Sequence, residues 1–149
     1  MIALLQRVSE ARVDIAGETV AAIEHGLLVL VGVEREDGEA ESRRLAERLL
    51  TYRIFPDGAG RMNLDIRQAG GALLLVPQFT LTADTGRGNR PSFSRAAEPA
   101  QGETLFNALA EAVEALYPQQ VVSGRFGANM QVWLCNDGPV TFRLQVTGV

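Results

Sequence analysis

The stretch GLLVLVGV, residues 26–33, is apolar throughout and is interrupted only by its glycines. A strand that is apolar at every position is typical of one buried on both faces. The stretch ALLLV, residues 72–76, repeats this pattern and is followed directly by Pro77. Since proline lacks a backbone donor, this second strand is predicted to lie at a sheet edge or to bend there. The two runs predict strands at the core of the domain.

The rest of the chain combines two helical segments with further strands. Apolar residues recur at helical spacing in residues 40–53, and again from Leu105 to Tyr117. Residues 82–98 show no periodicity and predict a long loop. The fold class is therefore α+β: a β-rich, barrel-like sheet with two packed helices, forming one domain over residues 1–149. The other predicted elements are a hairpin turning at Gly17–Glu18, and strands at Val121–Phe126, Met130–Leu134 and Val140–Val146, the last two joined at Asn136–Pro139.

The composition excludes several kinds of chemistry. All 14 basic residues are arginine, which excludes Schiff-base catalysis and the lysine-bearing phosphate loop. With one histidine, His25, and one cysteine, Cys135, a protomer cannot assemble a zinc site of several His and Cys ligands. His25 is interpreted as a local hydrogen-bonding residue and Cys135 as an inert buried thiol. Chemistry must then come mainly from backbone groups, hydroxyls, carboxylates or the substrate, and neither a metal nor a cofactor is predicted.

Cysteine usage and hydropathy bear on the compartment. The N-terminal residues place an arginine after a few apolar positions and favour a strand over a signal peptide. No apolar run approaches the roughly 20 residues of a membrane-spanning helix. A single cysteine suits a reducing environment. The sequence predicts a cytoplasmic protein with no membrane contact.

The charge is spread unevenly, although the net charge is −4. Residues 51–97 carry six arginines against three aspartates. Arg87, Arg90 and Arg95 lie close to Phe93 in the predicted loop, a combination that suits phosphate and base contacts. The alternative interpretation is a solvated, arginine-rich loop.

Two short segments carry the functional signal: PQFTL at residues 77–81 and NDGPVT at residues 136–141. Together they resemble the two signature motifs of the D-aminoacyl-tRNA deacylases, and the resemblance covers essentially the whole chain. It departs at Pro77, where the family's first motif opens with serine, so a hydroxyl and an N–H are missing at the pocket edge. Other segments similar to the family are QRV at 6–8, GLLV at 26–29, RIF at 53–55, RMN at 61–63, GNRPSF at 88–93 and FGANM at 126–130.

The resemblance implies a homodimer with a chiral filter. Gly138–Pro139, with a cis peptide bond, would reach from one subunit into the pocket of the other. An L side chain would strike this wedge, whereas a D side chain would point outward. Because the wedge does not contact a D side chain, any D-amino acid should be accepted. Glycine has no side chain to exclude, so glycyl-tRNA, including glycine mischarged on tRNA-Ala, is expected to be hydrolysed too.

The resemblance also implies a catalytic site at Gln78, Phe79 and Thr80. Backbone N–H groups around Phe79 and Thr80 would stabilise the oxyanion, and the 2′-hydroxyl of the terminal ribose would orient or activate water. The alternative is that Thr80 acts as a covalent nucleophile, although no base lies nearby in sequence.

The same resemblance points to residues that bind the tRNA end. Spacing alone interprets Phe126 and Met130 as ordinary core residues. Arg7 and Gln6 look similar to family pocket residues that set Gln78, and the alternative for Arg7 is a surface ion pair. The residues expected to contact the tRNA 3′ end or its adenosine are Arg7, Arg90, Phe126, Gly127, Ala128 and Met130.

Three functions fit these observations. The leading hypothesis is a hydrolase that cleaves the ester of D-aminoacyl-tRNA and releases free D-amino acid and tRNA. The second is a non-catalytic module that binds the tRNA 3′ end. The third is a general esterase with Thr80 as its nucleophile.

Overall fold

The computed structural model describes residues 1–118 and 120–149. This part of the chain contains eight strands and three helices. It also contains one 3₁₀ helix at Phe79–Thr82, called here the 79–82 turn. The strands are β1 Ile2–Ile15, β2 Glu18–Ile23, β3 Gly26–Gly32, β4 Phe55–Pro56, β5 Met62–Leu64, β6 Ala72–Pro77, β7 Val121–Ser123 and β8 Gln131–Gln145. The helices are α1 Glu39–Thr51, α2 Ile66–Ala69 and α3 Pro99–Leu116.

The long strand β1 organises the main sheet, because it pairs with three other strands. One edge of β1 runs antiparallel to β8 along most of its length. The other edge pairs with β3 over residues 2–8 and with β2 over residues 11–15. Beyond β3 the sheet continues through β6 and β7, both parallel to their neighbours. Strand β2 also contacts β6 and β7, so the sheet is a nearly closed barrel.

Strand β3 is buried on both faces, which confirms the prediction from its apolar run. Leu27, Val29 and Val31 pack into the larger core with helices α1 and α3. Leu28 packs on the opposite face, in a second core enclosed by the strands. An apolar side chain is thus needed at nearly every position of this strand, since each face meets its own core.

Pro77 does not make β6 an edge strand, so that alternative of the prediction is wrong. Strand β6 lies between β3 and β7. However, β7 pairs only with Leu73–Leu75, and Pro77 lies past the end of that pairing. Its missing N–H therefore costs no hydrogen bond of the sheet. The chain leaves the strand immediately afterwards and enters the 79–82 turn, as the other alternative predicted.

The prediction of two separate strands joined at Asn136–Pro139 is wrong. β8 is one continuous strand, and both of its halves run antiparallel to β1. The register shifts twice opposite Gln6–Glu10, so residues 136–139 form a bulge within the strand. Glycine and proline occur both at bulges and between strands, which is why the sequence pattern predicted two strands here.

The helices differ from the prediction in their boundaries and in their number. α3 begins at Pro99, six residues before the first apolar position of its predicted helix, because Pro99 occupies the first helical position. The short helix α2 was not predicted: it is too short for a periodic pattern and is recognisable by its cap, where Asp65 accepts hydrogen bonds from the backbone of Arg67 and Gln68. The sheet therefore carries three helices instead of two.

Cys135 is exposed, so its predicted burial is wrong. It lies in the first half of β8, where Trp133 and Leu134 are also exposed. Within the described residues this half of β8 pairs with β1 alone. An apolar strand sequence predicted burial here because it does not show whether a second layer covers the strand.

A buried ammonium group fastens the start of β1. The α-amino group of Met1 donates to Asp37 Oδ1 at 2.5 Å and to the carbonyl oxygen of Val146 at 2.8 Å, and it lies 3.5 Å from Glu34 Oε2. Burial raises the pKa of the Asp37 carboxyl although the ammonium lies against it. This cluster ties both ends of the chain to the loop that precedes α1.

In the part of the chain that the structure describes, the helices are too short or too polar to cross a bilayer.

Close approach of β3 and β6 depends on Gly26. A Cβ atom at this position would lie 1.9 Å from the carbonyl oxygen of Ala72. We expect Gly26→Ala to lower the free energy of unfolding by about 3 kcal/mol, because the two backbones must separate. Urea unfolding measures this. The control is Gly58→Ala, where a Cβ meets no described atom within 4 Å, and equal losses in the two variants would contradict the explanation.

Candidate active site

One cleft of about 470 Å³ opens beside the ends of β3 and β6. The 79–82 turn forms one side of it, and the first turn of α3 and the segment after β7 form the others. Its lining residues are Val31, Val33, Val76, Pro77, Gln78, Phe79, Ala97, Pro99, Gly102, Phe106, Phe126, Gly127, Ala128, Met130 and Val132.

None of these lining residues has a titratable side chain. Gln78 is the only one with a polar side chain, and the others are aliphatic, aromatic, thioether, proline or glycine. Acid–base catalysis by a lining side chain is therefore excluded, and the polar groups that the cleft offers are mainly backbone N–H and C=O. Across the described residues, no group of three or more His, Cys, Asp or Glu side chains is placed to hold a metal ion.

The 79–82 turn presents free backbone donors. The N–H of Gln78 donates to Val31 O at 2.7 Å, and the N–H of Leu81 donates to Gln78 O at 3.2 Å. Between them, the N–H groups of Phe79 and Thr80 have no hydrogen-bond acceptor among the described residues. The first N–H groups of any helix lack a partner for this geometric reason. Two adjacent donors at the edge of an apolar cleft can bind an oxyanion.

The hydroxyl of Thr80 is engaged by an amide. Gln78 Nε2 donates to Thr80 Oγ1. Neither the nitrogen nor the oxygen of an amide is basic enough to remove a hydroxyl proton, and no described His, Asp or Glu side chain bonds to this oxygen. The geometry therefore supplies Thr80 with an orienting contact and no base.

Gly32 allows the 79–82 turn to lie directly on the end of β3. A Cβ at Gly32 would come within 3.1 Å of Gln78 O and Thr82 Cγ2. The turn is also closed by Thr82, whose hydroxyl donates to Phe79 O at 2.7 Å. These contacts fix the position of the free N–H groups relative to the end of β3.

Phe79 is exposed over 58% of its surface, which is unusual for a large aromatic side chain. Its ring lies against the ring of Phe93, with 5.0 Å between the centroids. Phe93 belongs to the long loop that precedes α3. The loop therefore reaches the cleft through this aromatic pair.

The residues expected to hold the terminal adenosine lie in this same cleft. Phe126, Gly127, Ala128 and Met130 all line it, together with Gln78 and Phe79. Phe126 also packs against the larger core and Met130 against the smaller one. Phe126 and Met130 are thus half-buried residues that pack against a core and also line the cleft.

The second sequence motif forms the β8 bulge and lies outside the cleft lining. The Gly138–Pro139 peptide bond is cis, and Gly138 has a φ of 129°. Asn136 spans the bulge: its Oδ1 accepts from Val140 N at 3.1 Å, and its Nδ2 donates to Thr141 Oγ1 at 3.0 Å. In a single protomer Gly138 and Pro139 do not line the cleft that holds Phe79.

Arg7 links the β8 bulge to the residue that precedes β4. Its Nη1 donates to Ile54 O at 2.8 Å and its Nε donates to Asp137 O at 3.2 Å, with Asp137 Oδ2 at 3.4 Å. Gln6 donates to Thr141. Arg7 and Gln6 thus hold the second motif, whereas they were expected to set Gln78. The ion pair expected as the alternative is present, and hydrogen bonds to two backbone carbonyl groups accompany it.

Only part of the predicted arginine cluster has a free charge. Arg95 Nη2 donates to Glu34 Oε1 at 2.7 Å, in the cluster that also holds Met1. Arg87 and Arg90 are exposed, and the described residues offer their side chains neither an acid nor another acceptor. Arg90 does not line the cleft.

Sequence reasoning missed one side of the cleft. Pro99, Gly102 and Phe106 from α3 line it, as do Val31 and Val33. Apolar residues carry no chemical signature, and only the packing of α3 across the sheet shows that they share a cleft. Pro99 gave the one available signal, as a helix start beside the functional loop.

Comparison with known proteins bears on this site. The family model described as D-Tyr-tRNA(Tyr) deacylase matches residues 4–145. A D-aminoacyl-tRNA deacylase of Ectopseudomonas mendocina (strain ymp) is 60% identical over 143 residues, which is 96% of this chain and 98% of that protein. The chain belongs to the D-aminoacyl-tRNA deacylase family.

Other relatives agree in length and fold. A D-aminoacyl-tRNA deacylase of Shewanella woodyi is 58% identical over 98% of this chain and 100% of its own length. The solved structure of the c-Myc DNA Unwinding Element Binding Protein has a TM-score of 0.95 and 35% identity, covering 99% of this chain and 100% of that one. A probable eukaryotic D-amino acid tRNA deacylase, at 16% identity and a TM-score of 0.80 over 96% of this chain and 98% of that one, shares the fold.

In this member of the deacylase family, the stability of the β8 bulge should depend on Arg7 more than on its ion pair. Arg7→Ala removes charged hydrogen bonds to two carbonyl groups, and we expect a loss of about 2 kcal/mol in the free energy of unfolding. Asp137→Asn removes only a half-exposed carboxylate and should change it by less than about 0.5 kcal/mol. Urea titrations compare the two, and a larger loss in Asp137→Asn would contradict this assignment.

Proposed function

We propose that this chain hydrolyses the ester between a D-amino acid and the terminal ribose of tRNA, and spares L-aminoacyl-tRNA. Family membership over nearly the whole chain supports the reaction class. The observation that carries the mechanism is the pair of free N–H groups at Phe79 and Thr80, on the edge of a cleft without titratable lining.

Hydrolysis of this ester needs only modest catalysis, because an aminoacyl ester is already activated. As water adds to the carbonyl carbon, negative charge develops on the carbonyl oxygen, and the N–H groups of Phe79 and Thr80 stabilise it. One preorganised donor of this kind contributes about 3 kcal/mol. The neighbouring 2′-hydroxyl of the ribose orients the attacking water, so the protein needs no side-chain base.

The terminal adenosine occupies the cleft. Its base is flat and largely apolar on its faces, and Phe126 and Met130 offer aromatic and thioether surfaces to it. Gly127 leaves room for the sugar to approach the backbone. This placement brings the ester at the end of the ribose towards Phe79 and Thr80, which line or border the same cleft.

Two copies of the chain form the working enzyme. Trp133 and Leu134 expose apolar surface on the first half of β8, although Arg12 lies over the ring of Trp133. An exposed apolar strand of this kind is typical of a protein interface. The adjacent bulge at 138–139 lies outside its own cleft and is braced by Arg7 and Asn136. A dimer through β8 would carry this braced backbone into the partner's cleft.

The bulge of the partner then acts as the chiral filter. A rigid backbone beside the substrate's α-carbon excludes an L side chain and leaves a D side chain free. Glycine places no side chain on either side and passes the filter. The filter therefore extends the substrates to glycyl-tRNA, including glycine on tRNA-Ala.

Hydrolysis of four charged tRNAs tests this function. We expect release from D-tyrosyl-tRNA, D-aspartyl-tRNA and glycyl-tRNA-Ala, and no release from L-tyrosyl-tRNA, measured as free amino acid over time. Binding of D-tyrosyl-tRNA without release would favour the non-catalytic module. Failure to cleave the glycyl ester at any enzyme concentration would overturn the filter while leaving the D-ester reaction intact.

Thr80→Val separates the backbone mechanism from a covalent nucleophile. Valine keeps the backbone N–H and the shape of the side chain and removes only the hydroxyl. We expect kcat for D-tyrosyl-tRNA to fall by less than about tenfold, because the oxyanion donors remain. A nucleophile would lose about a thousandfold or more. A loss of that size, together with loss of turnover on small esters, would favour the esterase.

A further inference from the structure

The backbone of Arg125 is held by its neighbours directly beside the cleft. The residue before it, Gly124, donates its N–H to Leu75 O at 2.8 Å and so continues the pairing of β7 with β6. The residue after it, Phe126, lines the cleft. The carbonyl of Arg125 itself accepts from Ala128 N at 3.3 Å, which closes the turn that contains the predicted adenosine platform.

The guanidinium of Arg125 is not used by the fold. Its side chain is exposed, and within residues 1–118 and 120–149 it has no carboxylate, carbonyl or aromatic partner. Most other arginines do have such partners, among them Arg7, Arg95 and Arg43. Arg125 is also the only charged residue in the sequence between Glu114 and Asp137. A free positive charge thus stands alone beside an uncharged cleft in a chain of net charge −4.

The apolar lining of the cleft indicates which ligand group this positive charge can bind. A nucleotide held in an apolar cleft cannot bury its phosphate there, since an uncompensated charge is costly to remove from water. The phosphate must therefore remain at the rim, where Arg125 stands next to the residue that contacts the base. A guanidinium fork matches two phosphate oxygens.

We propose that Arg125 binds the phosphodiester linking the terminal adenosine of the tRNA to the nucleotide before it. This rests on the proposed function, in which the terminal adenosine occupies the cleft. Arg125 is then a residue that binds the end of the nucleic acid and takes no part in the ester chemistry. Arg87 and Arg90 are also unpaired, but they lie on an exposed loop and do not adjoin a residue of the adenosine platform.

The test compares Arg125→Gln with the wild-type enzyme on substrates that differ in this one phosphate. D-tyrosyl-adenosine carries the ester and no phosphate, whereas the D-tyrosyl ester of cytidylyl-adenosine carries the single phosphodiester. We expect Arg125→Gln to raise KM for the dinucleotide ester about tenfold with kcat unchanged. KM for D-tyrosyl-adenosine should stay at the wild-type value. With tRNA, the slope of log affinity against log salt should fall by about one.

The matched control is Arg43→Gln, which changes the net charge equally on the exposed face of α1. We expect it to leave all three measurements at wild-type values, and Arg125→Lys should recover part of the affinity for the dinucleotide. Equal rises in KM for both small substrates would overturn the phosphate contact, as would no rise with either. If the wild-type enzyme hydrolyses none of these esters, the proposed function itself fails, and this proposal with it.

Discussion

The structure depends on one strand that is buried on both faces and approached closely at both ends. β3 separates the two cores, so every side chain along it is packed. At its start, Gly26 admits the backbone of Ala72, and at its end Gly32 admits the 79–82 turn. The turn that carries the free N–H groups thus rests on the end of a closely packed strand. Close packing of this kind lets backbone atoms act as preorganised donors.

A cleft without titratable side chains has consequences for specificity as well as rate. Such a site cannot select a substrate by charge, and it selects by shape and by the backbone groups that it presents. The proposed filter is of the same kind, because it is a backbone segment in the β8 bulge. The proposed phosphate contact of Arg125 lies at the rim, where phosphate would remain in contact with water. In this proposal, recognition of the nucleic acid is separate from chemistry on the ester.

Much of the fold could be predicted from local patterns. The apolar run of β3, the periodicity of α1 and the turn after β1 follow from elementary rules, and the structure confirms them. Two of the segments that line the cleft, PQFTL at 77–81 and FGANM at 126–130, were located by their motifs. Features without a local signature were not predicted: the continuity of β8 and the ion pair that occupies Arg95. Each depends on residues far away in sequence.

The sequence alone determined that a strand buried on both faces would form. It also excluded chemistry that needs a lysine or two cysteines of one chain, and it left a single histidine, because these follow from residue types. The tertiary structure alone decided that Cys135 is exposed, that Arg7 braces the β8 bulge, and that α3 completes the cleft. These outcomes depend on which surfaces meet. A hydrophobic pattern indicates that one face of an element is buried, but it does not show which other element packs against that face.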